Sequence, residues 1–359
     1  MLKNELDVTL LRAETLKEKP DQSQLGFGKH FTDHMLTMRW DKEQGWHDAE
    51  IRPYANFSLD PAAMVLHYSQ EIFEGLKAYR GVDDAVLLFR PMDNLNRFND
   101  SADRMCMPRI PAEKVLQALK GLVYLEREWI PKVEGGALYI RPAMIASEAA
   151  LGVRPANEYL FFVICSPVGA YYAEGFNPTK IYVEDEYVRA VPGGVGNVKT
   201  GGNYAASIKA HTTSQRKGYT QVLWLDAVER KYIEEVGTSN IFFVINGELV
   251  TPPLGGTILP GITRDTVLQL AKDWEIPTSE RRITIDEVIA AAEDGSLTEA
   301  FGSGTAAVIS PIGEFGYQGN SIAVNHGETG PLAQRFFDGI QDLQRGATPD
   351  MHEWIVRVK

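Results

Sequence analysis

One lysine in this chain is surrounded by five glycines. The segment Val191–Tyr204 reads VPGGVGNVKTGGNY, with Lys199 its only cationic side chain. A lysine amine is a nucleophile only when neutral, and burial promotes that form by disfavouring the ammonium. The glycines would let the backbone bend closely around a bulky partner. Two nucleotide motifs fail here. A phosphate-cradling P-loop needs Gly-Lys-Ser/Thr, but Val198 precedes Lys199. In a dinucleotide fingerprint Gly194 and Gly196 fit, but Lys199 stands where the third glycine belongs. On composition alone, a flexible solvated loop with a surface lysine stays open as the other reading.

Other segments carry chemistry of their own. Glu234-Glu235 precede the apolar run that begins at Ile241. The pair reads as a solvated turn, or as Glu235 pointing inward to a cation or a protonated ring nitrogen. Leu259-Pro260-Gly261-Ile262-Thr263 leads into a helix whose first N–H groups suit a phosphate. The plain alternative is an N-cap, with Thr263 capping its own helix. Gly302-Ser303-Gly304-Thr305-Ala306 is a second small-residue turn able to present N–H groups to an anion. Arg90 ends one apolar strand and Arg141 lies inside another. A buried arginine needs an anionic partner, supplied by an internal ion pair or by a ligand. The stretch His67–Tyr79 mixes aromatics with Glu71, Glu74 and Lys77. Packing alone accounts for it equally well. His30 and His34 are four apart, but no third metal ligand is visible. There is no Gly-x-Ser-x-Gly elbow either, so metal and hydrolase-triad chemistry lack support.

The elements that must position these residues can be read from period and punctuation. Leu138–Ala146, Tyr159–Cys165, Gln221–Leu225 and Ile241–Ile245 read as strands, the last followed by the turn signal Asn246-Gly247. Helical spacing appears at Leu116, Leu119 and Val123. It recurs at Val267, Leu270, Ala271 and Trp274, and again at Leu332, Phe336, Ile340 and Leu343. Pro331 and Gly346 bracket the last of these. The chain has 359 residues, enough for two domains. Gly, Pro and Asn cluster in 168–179. The expected division is therefore a smaller N-terminal α+β domain at 1–167, a linker loop at 168–179, and a larger C-terminal α/β domain at 180–359 that carries Lys199. The formal charge of −12 disfavours nucleic acid as the main partner. Cys106 and Cys165 lie in unrelated segments, so no disulfide framework is expected. Met1–Pro20 shows no signal-peptide core and no stretch is long enough to span a bilayer, so a cytoplasmic protein away from membranes is expected.

Taken together, these segments resemble the branched-chain amino acid aminotransferases, of the fold-type-IV class dependent on pyridoxal 5'-phosphate. The resemblance runs from Phe27 to the final helix. It is carried by FEGLKAYRG (73–81), LYIRP (138–142), GGNY (201–204), EVGTSN (235–240), TPPLGGTILPGITR (251–264) and FGSGTA (301–306). It implies a mixed α/β (α+β) fold of two domains. It makes Lys199 the lysine that forms an imine with the cofactor aldehyde, and Glu235 the partner of the pyridine nitrogen. Tyr204 would bond the ring's phenolic oxygen. Arg90, the backbone N–H groups of Ile262 and Thr263, and Thr305 would hold the phosphate. The implied reaction is transamination between Leu, Ile or Val and 2-oxoglutarate, with Lys199 moving the Cα proton. Phe27, Tyr68, Phe73, Tyr139 and Tyr171 match the family's apolar pocket, and Arg141 would meet the glutamate carboxylate. Thr238 and the Thr305–Ala306 turn would face the α-carboxylate. The partners implied are these small molecules and, in a homodimer, a second copy of the chain.

The same lysine, glutamate and phosphate cup also occur in D-amino-acid aminotransferases and in lyases that make aminobenzoate. A metabolite-binding protein that kept the fold without catalysis is another alternative. Some relatives follow the GSGTA turn with Cys-x-x-Cys. Ala307 and Ser310 stand there in this chain, which removes the basis for a thiol switch.

Overall fold

The computed structural model describes residues 7–169 and 176–359. Tyr171 and half of the expected linker, residues 170–175, lie outside the described residues. Two compact units emerge. The first comprises Met1–Tyr171, Val198–Gly201 and Asp342–Lys359, and the second Tyr172–Asn197 and Gly202–Gln341. The units are therefore not the uninterrupted segments expected from the sequence. The residues around Lys199 group with the first unit, as does the C-terminal tail.

The first unit is built on β1 (Val8–Leu10), β2 (His34–Asp41), β3 (Gly45–Pro53), β4 (Glu71–Phe73), β5 (Leu76–Arg80), β6 (Val86–Phe89), β7 (Ala137–Ala146) and β8 (Glu158–Val168). Its helices are α1 (Met64–Tyr68), α2 (Pro91–Arg104) and α3 (Ala112–Leu125). The strand order is β1-β3-β2-β8-β7-β5-β6, and β4 also pairs with β7. Strand alternation sorts the side chains. Ile72, Leu76, Ala78, Leu138, Ile140 and Met144 enter a core with Leu95 and Phe98 of α2 and Leu119 of α3. Glu71, Phe73, Lys77, Tyr139 and Arg141 are thereby left on the opposite face. On α3, Leu116, Leu119 and Val123 are all buried, as their spacing predicts.

The second unit contains β9 (Thr179–Glu184), β10 (Gln221–Leu225), β11 (Ile233–Val236), β12 (Asn240–Ile245), β13 (Glu248–Thr251), β14 (Thr278–Glu280), β15 (Leu297–Gly304), β16 (Val308–Tyr317) and β17 (Asn320–Ala323). The helices are α4 (Gly201–Arg216), α5 (Ile262–Asp273), α6 (Ile285–Glu293) and α7 (Pro331–Gln344). The strand order is β11-β10-β9-β16-β15-β12-β13-β14, with β17 beside β16. Ile181, Leu223, Ile241, Phe243 and Phe315 form a core with Val288 of α6. Asn246 and Gly247 both take positive φ, 53° and 77°, as the hairpin signal predicts. The final strand, β18 (Ile355–Val358), pairs with β6 and completes the first unit's sheet.

Candidate active site

In the first unit Lys199 is held by its backbone. Its N–H donates to the Ser101 hydroxyl at 3.0 Å, and its carbonyl accepts the Phe73 N–H at 3.0 Å. The Thr200 hydroxyl donates to the Glu71 carbonyl at 2.8 Å, and the Gly201 N–H donates to the Glu71 carboxylate. A Cβ at Gly201 would collide with that carboxylate, so only glycine permits the contact. The Lys199 ammonium lies 4.9 Å from the centre of the Phe73 ring. The Arg141 guanidinium lies 4.6 Å from the same centre. Arg141 Nη2 donates to the Tyr139 hydroxyl at 2.9 Å, and Tyr139 meets Phe27 edge-on at 4.8 Å. Five predicted residues thus form one cluster: Lys199, Phe73, Arg141, Tyr139 and Phe27. Arg141 Nε is buried with no hydrogen-bond partner among the described residues.

Behind this cluster Glu74 is fully buried. Burial alone would raise its carboxyl. The Arg97 guanidinium reverses this, with help from Lys199 and Asn94, and holds it below the usual carboxylate range. Arg97 Nε and Nη2 donate to its two oxygens at 2.6 and 2.9 Å. Asn94 adds a bond at 2.8 Å and the Gly75 N–H one at 3.0 Å. Gly75 itself must lack a side chain, because a Cβ would strike the Tyr139 hydroxyl.

Arg90 caps α2 in the left-handed region, φ 49°. Its Nε donates to Asp93 at 2.6 Å and its guanidinium lies 5.0 Å from the Trp354 ring centre. The Arg90 N–H donates to the Trp354 carbonyl at 2.7 Å, so the C-terminal tail helps to position this arginine. Tyr68 ends α1 and remains 38% exposed. His34 belongs to β2 rather than a helix. Its Nε2 accepts the Ala13 N–H at 2.9 Å and its Nδ1 lies 2.5 Å from Glu126. Both ring nitrogens are thus engaged within the fold, a packing role. No group of three metal-ligating residues occurs among the described residues.

In the second unit, the β10–β11 register shifts between Trp224 and Leu225. Ile233 and Val236 both enter the core, and Glu235 pairs with Trp224. This bulge decides between the two carboxylates. Glu235 Oε1 accepts the Leu259 N–H at 2.7 Å, while Oε2 lies 3.1 Å from Arg189 Nε. The arginine contact is off the N–H direction, so it is Coulombic rather than a directed bond. Arg189 Nη2 also donates to the carbonyls of Gly196 and Thr257. Glu234 takes the Thr257 hydroxyl at 2.5 Å, and burial raises its carboxyl. Both glutamates are buried, which removes the solvated-turn reading.

The same end of this sheet gathers the small-residue turns. Asn240 pairs with Ser303, and a Cβ on Gly304 would lie 3.0 Å from the Ser239 hydroxyl. The Gly237–Thr238 turn therefore sits beside the Thr305–Ala306 turn. Gly237 has φ 56°, and Thr238 at the tip is exposed. Asn240 Nδ2 donates to the Leu259 carbonyl at 3.0 Å and brings the start of α5 to this end. That helix is capped by Gly261, with no side-chain cap, and Thr263 lies inside the first turn. The alternative reading, in which Thr263 caps its own helix, is thus excluded. A Cβ on Gly261 would collide with Asn240, which is why glycine takes the cap position. Tyr204 lies in the first turn of α4, half-buried, next to Asn203, whose Nδ2 donates to the Val195 carbonyl at 2.8 Å.

Sequence reasoning missed Arg189, Ser101, Asn94, Arg97 and Trp354. Arg189 follows Ile181–Val183 and precedes the glycine-rich stretch. The rule used for Arg90 and Arg141, that a buried arginine needs an anion, would have found it. Ser101 and Trp354 carried no local signal, since their roles depend on distant partners.

The amino-transferase class IV family matches residues 71–315. The chain is 56% identical over 344 residues to branched-chain-amino-acid aminotransferase 2 of Bacillus subtilis (strain 168), covering 96% of this chain and 95% of that protein. Among solved structures, the Escherichia coli branched-chain amino acid aminotransferase superposes with a TM-score of 0.76 at 27% identity. The match covers 91% of this chain and 99% of that one. The branched-chain aminotransferase of the thermophilic archaeon Thermoproteus uzoniensis, solved with norvaline, gives 0.74 at 26% identity, covering 91% and 100%. A lysine in a cationic, aromatic cluster, a buried glutamate and a glycine-capped helix start thus occur in a chain whose relatives over nearly its whole length are transaminases. The chain belongs to the amino-transferase class IV family and, within it, to the branched-chain-amino-acid aminotransferases.

Proposed function

We propose that this chain transfers the amino group of L-leucine, L-isoleucine or L-valine to 2-oxoglutarate, with pyridoxal 5'-phosphate as cofactor. The observation that carries the reading is the Lys199–Phe73–Arg141–Tyr139 cluster. It sets an amine beside an apolar ring and a cation, as alternate aliphatic and dicarboxylic substrates demand.

The residues present fit the cofactor. The start of α5 is capped by a glycine and makes no side-chain cap hydrogen bond, and a helix N-terminus favours a phosphate. Glu235 is a buried carboxylate with a cation beside it, suited to a protonated ring nitrogen. When bound, pyridoxal 5'-phosphate supplies an aldehyde for reversible imine formation and a ring that takes up the electron pair left at the substrate Cα.

The chain's own residues do the rest. Lys199 Nζ would hold the cofactor and, as the neutral amine, would move the Cα proton. Glu235 would accept the ring N–H, and Tyr204 would bond the phenolic oxygen. Arg90, the N–H groups of Ile262 and Thr263, and Thr305 would bind phosphate. Phe27, Tyr68, Phe73, Tyr139 and Tyr171 receive the aliphatic side chain, and Arg141 meets the second carboxylate of glutamate or 2-oxoglutarate. Thr238, Thr305 and Ala306 face the α-carboxylate. The working form in this reading is a cytoplasmic homodimer, which light scattering of the purified protein checks.

Assays of L-leucine, L-isoleucine, L-valine and D-alanine, each with 2-oxoglutarate, test the proposal. Turnover of the three branched L-amino acids is expected. Turnover of D-alanine alone would overturn it.

A further inference from the structure

Glu71 borders the site without a role in the chemistry above. In the β4–β7 pairing, Glu71 is opposite Ile145 and Phe73 is opposite Ala143. Glu71, Phe73 and Arg141 therefore share one face of the sheet. Phe73 lies between the two charged side chains in this row, with the Arg141 guanidinium over its ring at 4.6 Å. The Glu71 carboxylate accepts the Gly201 N–H, and its carbonyl accepts the Thr200 hydroxyl at 2.8 Å, so its place is fixed from two sides. Burial raises its carboxyl, while the Gly201 N–H and the charge of Arg141 act against that rise. Glu71 and Arg141 thus feel each other's charge. Arg141, in turn, keeps a buried Nε that no group among the described residues engages.

We propose that Glu71 is a specificity-determining residue: its carboxylate opposes the second carboxylate of a dicarboxylic substrate at Arg141 and leaves aliphatic side chains unaffected. The inference rests on the reading of Arg141 given above. A carboxylate arriving at Arg141 approaches an anion already fixed on the same face, and like charges repel. A leucine side chain carries no charge and meets no such opposition. The residue therefore holds back the binding of glutamate and 2-oxoglutarate relative to the branched substrates, and it acts through Arg141 rather than on the reacting atoms.

Calorimetric titration of the cofactor-loaded protein with two unreactive acids, glutarate and 4-methylvalerate, tests this. Glu71→Gln keeps an oxygen able to accept the Gly201 N–H and removes the charge. It should tighten glutarate relative to 4-methylvalerate by about fivefold, the scale of one screened charge several ångströms away. In an Arg141→Gln background the same substitution should leave that ratio unchanged, because the two residues act as one unit. Glu71→Ala should reproduce the ratio of Glu71→Gln while lowering the melting temperature, which separates charge from anchoring. Two outcomes are decisive against the idea. If Arg141→Gln selectively weakens glutarate but Glu71→Gln leaves the ratio unmoved, the role of Glu71 is overturned and that of Arg141 stands. If Arg141→Gln weakens both acids equally, the reading of Arg141 fails, and the inference with it.

Discussion

Lys199 is placed by regular sheet structure, whereas Glu235 owes its direction to an irregularity. Around Lys199, strands β4 and β7 keep strict alternation, and Phe73, Tyr139 and Arg141 reach one face because Ile72, Leu138 and Ile140 fill the other. Around Glu235, the register breaks between Trp224 and Leu225, and loop segments at Gly196 and Thr257–Leu259 close on the side chain through Arg189. The first arrangement rests on periodicity and tolerates change at its edges. The second rests on a network of buried polar groups drawn from separate segments. Chemistry that needs apolar surface beside a charge is built by the first means, and the fixing of one carboxylate in a defined direction by the second.

The sharpest way to break this comparison is Lys199→Ala. It should cut turnover by at least about 10³-fold and abolish the borohydride-fixable adduct at this position. Retained turnover would detach the whole sheet-face cluster from catalysis. Glu235→Gln should cost about 10²-fold in turnover while the cofactor still attaches to Lys199, as followed by absorbance. A loss of attachment equal to that of Lys199→Ala would show that the two regions do not act separately.

The two carboxylates of FEGLKAY and the residues just before it provide a stability contrast. Glu74→Ala removes the buried carboxylate to which Arg97 Nε and Nη2 donate and should cost about 3–5 kcal/mol in chemical denaturation. Joint replacement of Glu74 by Leu and Arg97 by Met should recover much of that loss. The pH dependences have opposite signs. The Glu74 carboxyl is lowered in the folded chain, so its contribution is complete above the unfolded value and is lost as pH falls through the lowered folded value. The Glu71 carboxyl is raised, so its contribution is present below the unfolded value and is lost as pH rises through the folded one. Stability-against-pH curves of Glu71→Gln and Glu74→Gln should therefore depart from the parent in opposite senses. Parallel curves would remove the contrast.

The smallest effect lies away from both regions. Thr284 caps α6 and accepts the Glu287 N–H at 3.1 Å. Thr284→Ala should cost about 1 kcal/mol of stability and leave turnover unchanged. A fall in turnover would mean that helix capping in this unit reaches the chemistry.

How much of this was legible follows from the reach of each signal. Strand β10 matches its predicted span, and Gly346 takes φ 66° just past the last helix, as a stop signal should. Gly261 in place of Thr263 at the cap was not legible locally. Its cause is Asn240, which leaves no room for a Cβ. The grouping of Lys199 with the first unit was likewise hidden, because it arises from Ser101 and Phe73, about a hundred residues away in sequence.

Residue type and short-range spacing, by themselves, determined which groups could do chemistry here: an amine among glycines, a carboxylate pair, arginines in apolar runs, and turns rich in N–H groups. Period and punctuation also determined four strands and three helices, because alternation and capping act within a few residues. Tertiary structure alone decided which glutamate meets Arg189, that Arg90 packs on the returning tail, and that Glu71 and Arg141 share a face. Those outcomes depend on strand register, a bulge and contacts between distant segments, and no local pattern encodes them.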